Sequence, residues 1–129
     1  MKIKSIDHIV LTVSNISRSC LFYTQILGME EITFLDNRKA LKFANQKINL
    51  HQKGNEVEPK AHKPTVGSTD ICFILSTPLE EVIKALKKYD IQILEGPVER
   101  TGAEGLLLSV YIRDPDGNLI ELANKKEER

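Results

Sequence analysis

Four strand-like segments of the chain each place one side chain that can bind a metal ion among apolar neighbours. These side chains are His8, His51, Asp70 and Glu121. A buried charge is costly unless it is paired or bound to a metal, so strands that repeat this pattern indicate a shared polar cavity. Two imidazoles and two carboxylates suit one octahedral divalent ion, Ni, Co, Mn or Fe, or Zn with additional waters, better than a closed structural zinc site. The pattern therefore predicts one bound divalent metal ion.

A site of this kind keeps exchangeable positions at which a substrate carbonyl and a neighbouring hydroxyl can bind and be polarised. Glu121 is the candidate catalytic base, because a carboxylate at short range can accept a proton from the carbon next to the carbonyl. Asp70 is the competing base. Arg100 is the candidate substrate-binding residue, because a guanidinium group binds a carboxylate through two parallel hydrogen bonds.

The elements that must position these residues follow the same order twice along the chain. Helical spacing between Asn15 and Gly28, and again after the capping-box pattern and proline of Thr77–Glu80, predicts one helix in each half. Alternation of apolar and polar residues predicts the strands. In the first half these are Ile6–Leu11, Glu31–Phe34, Arg38–Phe43 and Gln46–His51, and in the second half Asp70–Leu75, Gln92–Leu94, Leu106–Ile112 and Asn118–Leu122.

This repeat predicts an α+β fold in which each half forms one strand, one helix and three further strands. We expect a single domain over residues 1–129, with module one at about 1–53, a linker at about 54–68 and module two at about 69–124. One module alone would leave a sheet face bare, so the modules must pair. They can pair within one chain or be exchanged between two chains, and we expect a homodimer.

Each candidate residue also has a purely structural explanation. His8 could be a strand histidine hydrogen-bonded to a neighbour, His51 the solvent-facing end of a strand, and Asp70 a turn aspartate. Glu121 could be a surface residue paired with the lysines that follow it, and Arg100 a solvated arginine in a loop. The repeat favours the metal site, because two candidates fall in the opening strands of the modules and two in the closing strands.

Charge and composition exclude several classes of partner. The chain contains 18 Lys and Arg residues and 18 Asp and Glu residues, so it has no net field to attract nucleic acid or an anionic membrane. We find no apolar segment long enough for a signal peptide or a membrane span, and expect a cytoplasmic location. Cys20 and Cys72 have no metal-type or redox-motif spacing, and we expect both to be small buried hydrophobic residues.

The turn-forming segment Asp114–Asn118 precedes the last predicted strand. Proline in the turn and glycine at a position of positive φ are typical of a hairpin connection. We therefore expect this segment to shape the site and to take no part in chemistry.

Three segments resemble the vicinal oxygen chelate superfamily, which includes glyoxalase I, extradiol dioxygenases and bleomycin-resistance proteins. They are Asp7–Leu11, Phe22–Met29 and Arg113–Leu122. Lys47–His51 and Gly96–Ala103 are most similar to short glyoxalase-domain-containing proteins. The resemblance implies two βαβββ modules whose curved mixed sheets form a cleft with a metal site, and its ligand positions fall on the four residues named above.

The function that the resemblance implies is a metal-dependent lyase or isomerase of the glyoxalase I type. Its substrate would be a small α-oxygenated molecule or the thiol adduct of one. An iron-dependent ring-cleaving dioxygenase is one alternative, and a non-catalytic drug-binding protein like the bleomycin-resistance proteins is another. A drug-binding cleft is expected to stack its ligand on aromatic rings, and this chain has no Trp and three Tyr.

Overall fold

The computed structural model of the chain describes residues 1–126, which contain eight strands and two helices. The chain divides into two compact units, unit one from Met1 to Gly67 and unit two from Ser68 onward. Within the described residues, neither helix is long and apolar enough to cross a membrane. Unit one contains β1 His8–Val13, α1 Ile16–Gln25, β2 Glu30–Phe34, β3 Arg38–Phe43 and β4 Gln46–Gln52, and unit two contains β5 Asp70–Ile74, α2 Leu79–Lys88, β6 Glu95–Gly102, β7 Gly105–Arg113 and β8 Leu119–Lys125.

Each unit forms one four-stranded mixed sheet with the same topology. The strand order is β1-β4-β3-β2 in unit one and β5-β8-β7-β6 in unit two. In each sheet the first strand pairs in parallel with the last strand of its unit, and the other pairs are antiparallel. The predicted α+β fold with two βαβββ repeats is therefore confirmed.

In unit one, α1 begins and ends where the sequence predicts. The Asn15 side chain accepts a hydrogen bond from the backbone N–H of Arg18 at 2.9 Å, which satisfies one of the free donors at the helix start. Gly28 follows the helix with φ of +70°, a conformation that glycine adopts at little cost. The helix contacts the sheet and buries Cys20 and Tyr23.

In unit two, the start of α2 differs from the predicted capping box. The N-cap residue is Pro78, and its side chain makes no capping hydrogen bond. The amide of Asn124, in β8, takes this role: its Oδ1 accepts from the Leu79 N–H at 2.8 Å, and its Nδ2 donates to the carbonyl oxygens of Leu75 at 3.0 Å and Thr77 at 2.9 Å. The last strand therefore fixes the helix start.

The strand predicted at Gln92–Leu94 is wrong. The strand in this region is β6, which begins at Glu95 and continues to Gly102. Arg100 therefore lies within a strand, whereas the two nearby glycines led to the prediction of a loop.

The turn at Asp114–Asn118 has the predicted structural role. Asp114 Oδ1 accepts hydrogen bonds from the backbone N–H groups of Asp116 and Asn118, both at 2.9 Å. Asn118 Nδ2 donates to Asp114 Oδ2 at 2.8 Å, and Asn118 Oδ1 accepts from the Thr69 N–H at 2.8 Å. Gly117 has φ of +85°. The turn thus holds the starts of β5 and β8 side by side.

Candidate functional site

One face of the sheet in unit two carries both predicted carboxylates. Asp70 pairs with Leu119, and Cys72 pairs with Glu121 in the parallel register of β5 and β8. Because side chains alternate along a strand, Asp70, Cys72 and Glu121 share one face. Asp70 is exposed and Glu121 is half-buried. The structure therefore brings the two candidate bases to neighbouring positions within one unit.

Glu121 is held by a residue that sequence reasoning missed. The Ser109 hydroxyl, fully buried in β7, donates a 2.6 Å hydrogen bond to Glu121 Oε2. The same strand places Tyr111 directly opposite Glu121 in the antiparallel register. Ser109 interrupts an otherwise apolar strand, and this is the signal that could have identified it.

Arg100 occupies a fixed position on the same face. Its Nε donates to the Tyr111 hydroxyl at 3.0 Å, and its Nη2 donates to Glu95 Oε1 at 3.1 Å. The hydrogen bond to Tyr111 is the main reason that the pKa of Arg100 is raised. Burial raises the pKa of Tyr111, Arg100 lowers it, and the Glu121 carboxylate raises it further. The phenol is therefore protonated at neutral pH.

Arg100 and Glu121 border a cavity of about 420 Å³ within unit two. This volume lies within the roughly 300–1,000 Å³ typical of small-molecule sites. Two lysines at the cavity are paired with carboxylates, Lys125 with Glu104 at 2.8 Å and Lys126 with Glu99. Its lining includes Cys72, Ile74, Arg100, Leu107 and Glu121.

The pKa of the Cys72 thiol depends on the charge of Glu121. Cys20 is buried as expected, but Cys72 is exposed, so the prediction of burial is wrong for this residue. The protein atoms around its sulfur displace water and the Glu121 carboxylate lies close by, and together they raise the pKa of Cys72 to about 11. Negative charge beside a thiol disfavours the thiolate.

Replacing Glu121 with glutamine is therefore expected to lower the pKa of Cys72. The measurement is a pH titration of thiolate absorbance in a Cys20→Ala background, because the pKa of Cys20 is also about 11. Glu104→Gln is the matched control: this exposed carboxylate lines the cavity and is paired with Lys125. An unchanged pKa of Cys72 in Glu121→Gln would contradict the arrangement.

In unit one, His8 is exposed and lies in β1. Its Nδ1 is 2.8 Å from Asp7 Oδ1. A carboxylate bound to one ring nitrogen orients a histidine and leaves Nε2 as the nitrogen that can bind a metal. The local geometry of His8 thus fits a ligand.

His51 lies at the other end of the same sheet face. It pairs with Thr12, whereas His8 pairs with Lys47, four residues earlier in β4. At a rise of roughly 3.3 Å per residue, the two positions are about 13 Å apart along the strands, too far for both to bind one ion. The structure therefore does not bring His8 and His51 together.

The surroundings of His51 keep its imidazole neutral. The residue is buried, and its Nε2 has no hydrogen-bond partner. Burial is the main cause that lowers the pKa of His51, the positive charges of Arg38 and Lys60 lower it further, and Glu56 opposes them. Two cations near His51 disfavour a metal ion at this position.

The lowered pKa of His51 predicts a loss of stability in acid. The pKa of a histidine in the unfolded chain is about 6.5. Below this pH the imidazole of His51 is protonated in the unfolded chain but stays neutral in the folded one, so the free energy of unfolding falls as the pH falls. His51→Gln should reduce this pH dependence. The measurement is urea unfolding at about pH 7.5 and about pH 5.5, on either side of the histidine titration. His62→Gln, in an exposed loop, should retain the pH dependence of the wild type, and an equal effect of both substitutions would contradict the assignment.

The described residues contain donors suited to a metal but no complete set of ligands. Asp7 orients His8, and Ser109 orients Glu121. Within residues 1–126, no group of three or more His, Cys, Asp and Glu side chains lies close enough to hold an ion. The individual donors therefore fit a divalent metal, and His51 does not.

Comparison with known proteins identifies the class. The family model of the Glyoxalase/Bleomycin resistance protein/Dioxygenase superfamily matches residues 5–122, and the chain belongs to this superfamily. It is 58% identical over 123 residues to virulence protein STM3117 of Salmonella typhimurium, covering 95% of this chain and 85% of that protein. The crystal structure of STM3117 has a TM-score of 0.96 with 57% identity, covering 98% of this chain and 100% of that chain. Glyoxalase domain-containing protein RDO1 of Mycosarcoma maydis is 49% identical over 98% of this chain and 72% of that protein.

More distant solved structures share the fold. The lactoylglutathione lyase of Agrobacterium tumefaciens has a TM-score of 0.73 at 21% identity, covering 96% of each chain. The fosfomycin resistance protein FosX of Listeria monocytogenes, solved with Mn(II) and sulfate, has a TM-score of 0.68 at 21% identity, covering 97% of this chain and 93% of that one. The antibiotic-binding protein TnmS3 of Streptomyces has a TM-score of 0.75 at 17% identity, covering 98% and 99%.

Proposed function

We propose that the protein is a metal-dependent lyase or isomerase of the glyoxalase I type. Its substrate is a small α-oxygenated molecule or the thiol adduct of one. The observation that carries this proposal is the carboxylate of Glu121, held by Ser109 beside a cavity that Arg100 also lines. A fixed carboxylate next to a cationic side chain suits the removal of a proton from a substrate that carries an anionic group.

The residues of unit two have distinct roles in this proposal. Glu121 accepts the proton from the carbon next to the substrate carbonyl and can return it to the neighbouring carbon. Ser109 keeps the carboxylate in position. Arg100, itself held by Tyr111 and Glu95, binds an anionic group of the substrate. Asp70 is the competing base, since it lies on the same sheet face.

We propose His8, Asp70 and Glu121 as ligands of one divalent ion, Ni, Co, Mn, Fe or Zn. His51 is left out, because the sheet register separates it from His8 and because burial and the charge of Arg38 disfavour positive charge at its imidazole. The structure of FosX with Mn(II) supports a divalent ion in a protein of this fold. When bound, such an ion supplies Lewis-acid polarisation of substrate oxygen atoms.

Metal content tests this proposal. We expect elemental analysis of protein purified without chelator to show about one equivalent of divalent metal per site, which Glu121→Ala should lose. Glu104→Ala is the control, because it removes another carboxylate of the same cavity and should retain the metal. Activity on an α-oxoaldehyde with a thiol would support the lyase, and ring cleavage of a catechol would instead support the iron-dependent dioxygenase. No metal after reloading with all five ions would overturn both enzymes.

A drug-binding protein is the second candidate, favoured by the cavity and by the shared fold of the antibiotic-binding TnmS3. This candidate requires no metal. Saturable binding of a drug-sized ligand that is equal in wild type and Glu121→Ala, together with an absence of metal, would support it over the enzyme.

We also propose that the protein acts as a cytoplasmic homodimer with a small-molecule ligand as its partner. Sedimentation across a dilution series, with metal content measured in parallel, tests this assembly. Loss of metal on dilution to the monomer would show that two chains contribute to each site, whereas a monomer that retains its metal would contradict the requirement for a dimer.

A further inference from the structure

A second set of polar side chains lies on the sheet face of unit one that also carries His8, and one of them, Lys47, pairs with His8 in the register of β1 and β4. Three polar atoms on this face are buried without a hydrogen-bond partner: Arg38 Nε, Asn49 Oδ1 and His51 Nε2. Asn49 is 7% exposed and His51 is 4% exposed. A buried polar atom without a partner costs about 1–3 kcal/mol. Three together indicate that something else supplies the missing partners.

The register of the sheet brings these side chains together. Ala40 in β3 pairs with Asn49 in β4, and Arg38 and His51 each lie two residues beyond this pair in their strands. Side chains of Asn49 and His51 point to the same face, because the residues are two apart in one strand. The positive charge of Arg38 lowers the pKa of His51, in agreement with this placement.

Arg38 and Lys47 are two cations at this face that have no carboxylate partner among the described residues; Lys42, on the same face, donates to the backbone carbonyl oxygen of Ala44. The guanidinium carbon of Arg38 lies 4.8 Å from the centroid of the Phe34 ring, and Lys47 Nζ lies 4.1 Å from it. Both side chains are half-buried. Lys39 and Arg100, in contrast, are paired with carboxylates: Lys39 with Glu31, and Arg100 with Glu95.

The nearby acidic group is already engaged. Glu56 is the carboxylate that acts on His51, and its Oε2 accepts a 2.7 Å hydrogen bond from the Gly54 N–H. It also lies 3.7 Å from Lys60 Nζ. An oxyanion from outside the chain would therefore find Arg38 and Lys47 available. The Asn49 amide can rotate by 180° to present its NH2 group as a donor.

We propose that Arg38, Lys47, Asn49 and His51 form a binding site for a small oxyanion, a carboxylate or a phosphate. Arg38 Nε–H and the Asn49 amide donate hydrogen bonds to its oxygen atoms, and Lys47 supplies a second positive charge. Neutral His51 donates through Nε2 in the tautomer that carries its proton there. The site lies within unit one and requires neither the metal nor the proposed reaction.

The three histidines of the chain provide a direct test, because His8, His51 and His62 give three imidazole Cε1–H signals in a ¹H–¹³C NMR spectrum. The protein is titrated with inorganic phosphate and, separately, with acetate at constant ionic strength. We expect the His51 signal to shift and saturate with at least one anion while His62 does not move. Saturation with phosphate alone assigns a phosphate site, and saturation with acetate alone assigns a carboxylate site.

Substitutions at Arg38 show whether the site depends on its geometry. Arg38→Gln should weaken binding by about tenfold or more, the value of one charge-assisted hydrogen bond. Arg38→Lys keeps the charge but lacks Nε–H, and should bind between the wild type and Arg38→Gln. Lys39→Gln is the matched control, since it removes a charge from the opposite face of the same strand.

Two results would overturn the proposal. One is the absence of a saturable shift of His51 with either anion, which would mean that water satisfies the unpaired atoms. The other is equal weakening by Arg38→Gln and Lys39→Gln, which would indicate general charge attraction. Neither result would affect the metal content expected for His8, Asp70 and Glu121, so the two proposals fail independently.

Discussion

Asp114→Ala is expected to destabilise the folded chain by about 3 kcal/mol, as is typical when a buried hydrogen-bond network is broken. Asp114 accepts two backbone hydrogen bonds and one from the Asn118 amide. Asn118 is 1% exposed, so its Nδ2 would be left buried without this acceptor. The Oδ1 atom of the same amide accepts a hydrogen bond from the Thr69 N–H, and the substitution should therefore also loosen the start of β5 beside β8. Urea unfolding measures the loss of stability.

Two further variants separate this network from general effects. Asp114→Asn retains one acceptor oxygen and should cost less than Asp114→Ala. Lys84→Ala, on an exposed position of α2, should change the free energy of unfolding by less than about 0.5 kcal/mol. If Asp114→Ala costs no more than Lys84→Ala, the turn does not hold the two strands together.

Local sequence patterns were sufficient to predict the architecture. The cap at Asn15 and the glycine at Gly28 act within a few residues of the helix that they define. The bounds of this helix are therefore predictable from the local sequence. The repeat of strand, helix and three strands then limits the sheet topology, because in each unit the last strand pairs with the first. The turn at Asp114–Asn118 was predictable for the same local reason.

Features that depend on distant residues were not predictable in this way. The cap of α2 comes from Asn124, 45 residues away from Leu79. The start of β6 at Glu95 depends on pairing with β7, and in the short run Gln92–Leu94 the Leu94 N–H donates a hydrogen bond to the Tyr111 carbonyl oxygen at 2.8 Å without extending the strand. Arg100 looked like a loop residue because of its glycines, whereas the sheet extends through it.

The candidate site shows the same division. Alternation along each strand correctly predicts that Asp70 and Glu121 point away from the apolar residues next to them, but only the register shows that the two share a face and that Ser109 and Tyr111 lie beside Glu121. The register also separates His8 from His51 by four positions. His8 and His51 lie in different strands. Their separation along the sheet depends on how β1 pairs with β4, so it could not be predicted from the sequence of either strand alone.

Glu121→Gln is expected to lower metal affinity by more than about 100-fold and, in the proposed reaction, to lower kcat/KM by about 10³-fold. The amide retains the size of the side chain but loses the negative charge and the ability to accept a proton. Ser109→Ala should act more weakly, by about 10–100-fold in metal affinity, because it removes the hydrogen bond that orients the carboxylate. The measurements are a metal-competition titration and the pH profile of kcat/KM.

The double variant distinguishes a positioning role from a structural one. If Ser109 acts through Glu121, adding Ser109→Ala to Glu121→Gln should produce little further loss, since the two residues would belong to one interaction. Ser109→Thr retains the hydroxyl and should restore most of the affinity that Ser109→Ala loses. Because Ser109 is fully buried, unfolding of each variant must be measured in parallel. Additive losses in the double variant would show that the 2.6 Å hydrogen bond between Ser109 and Glu121 does not position the proposed base.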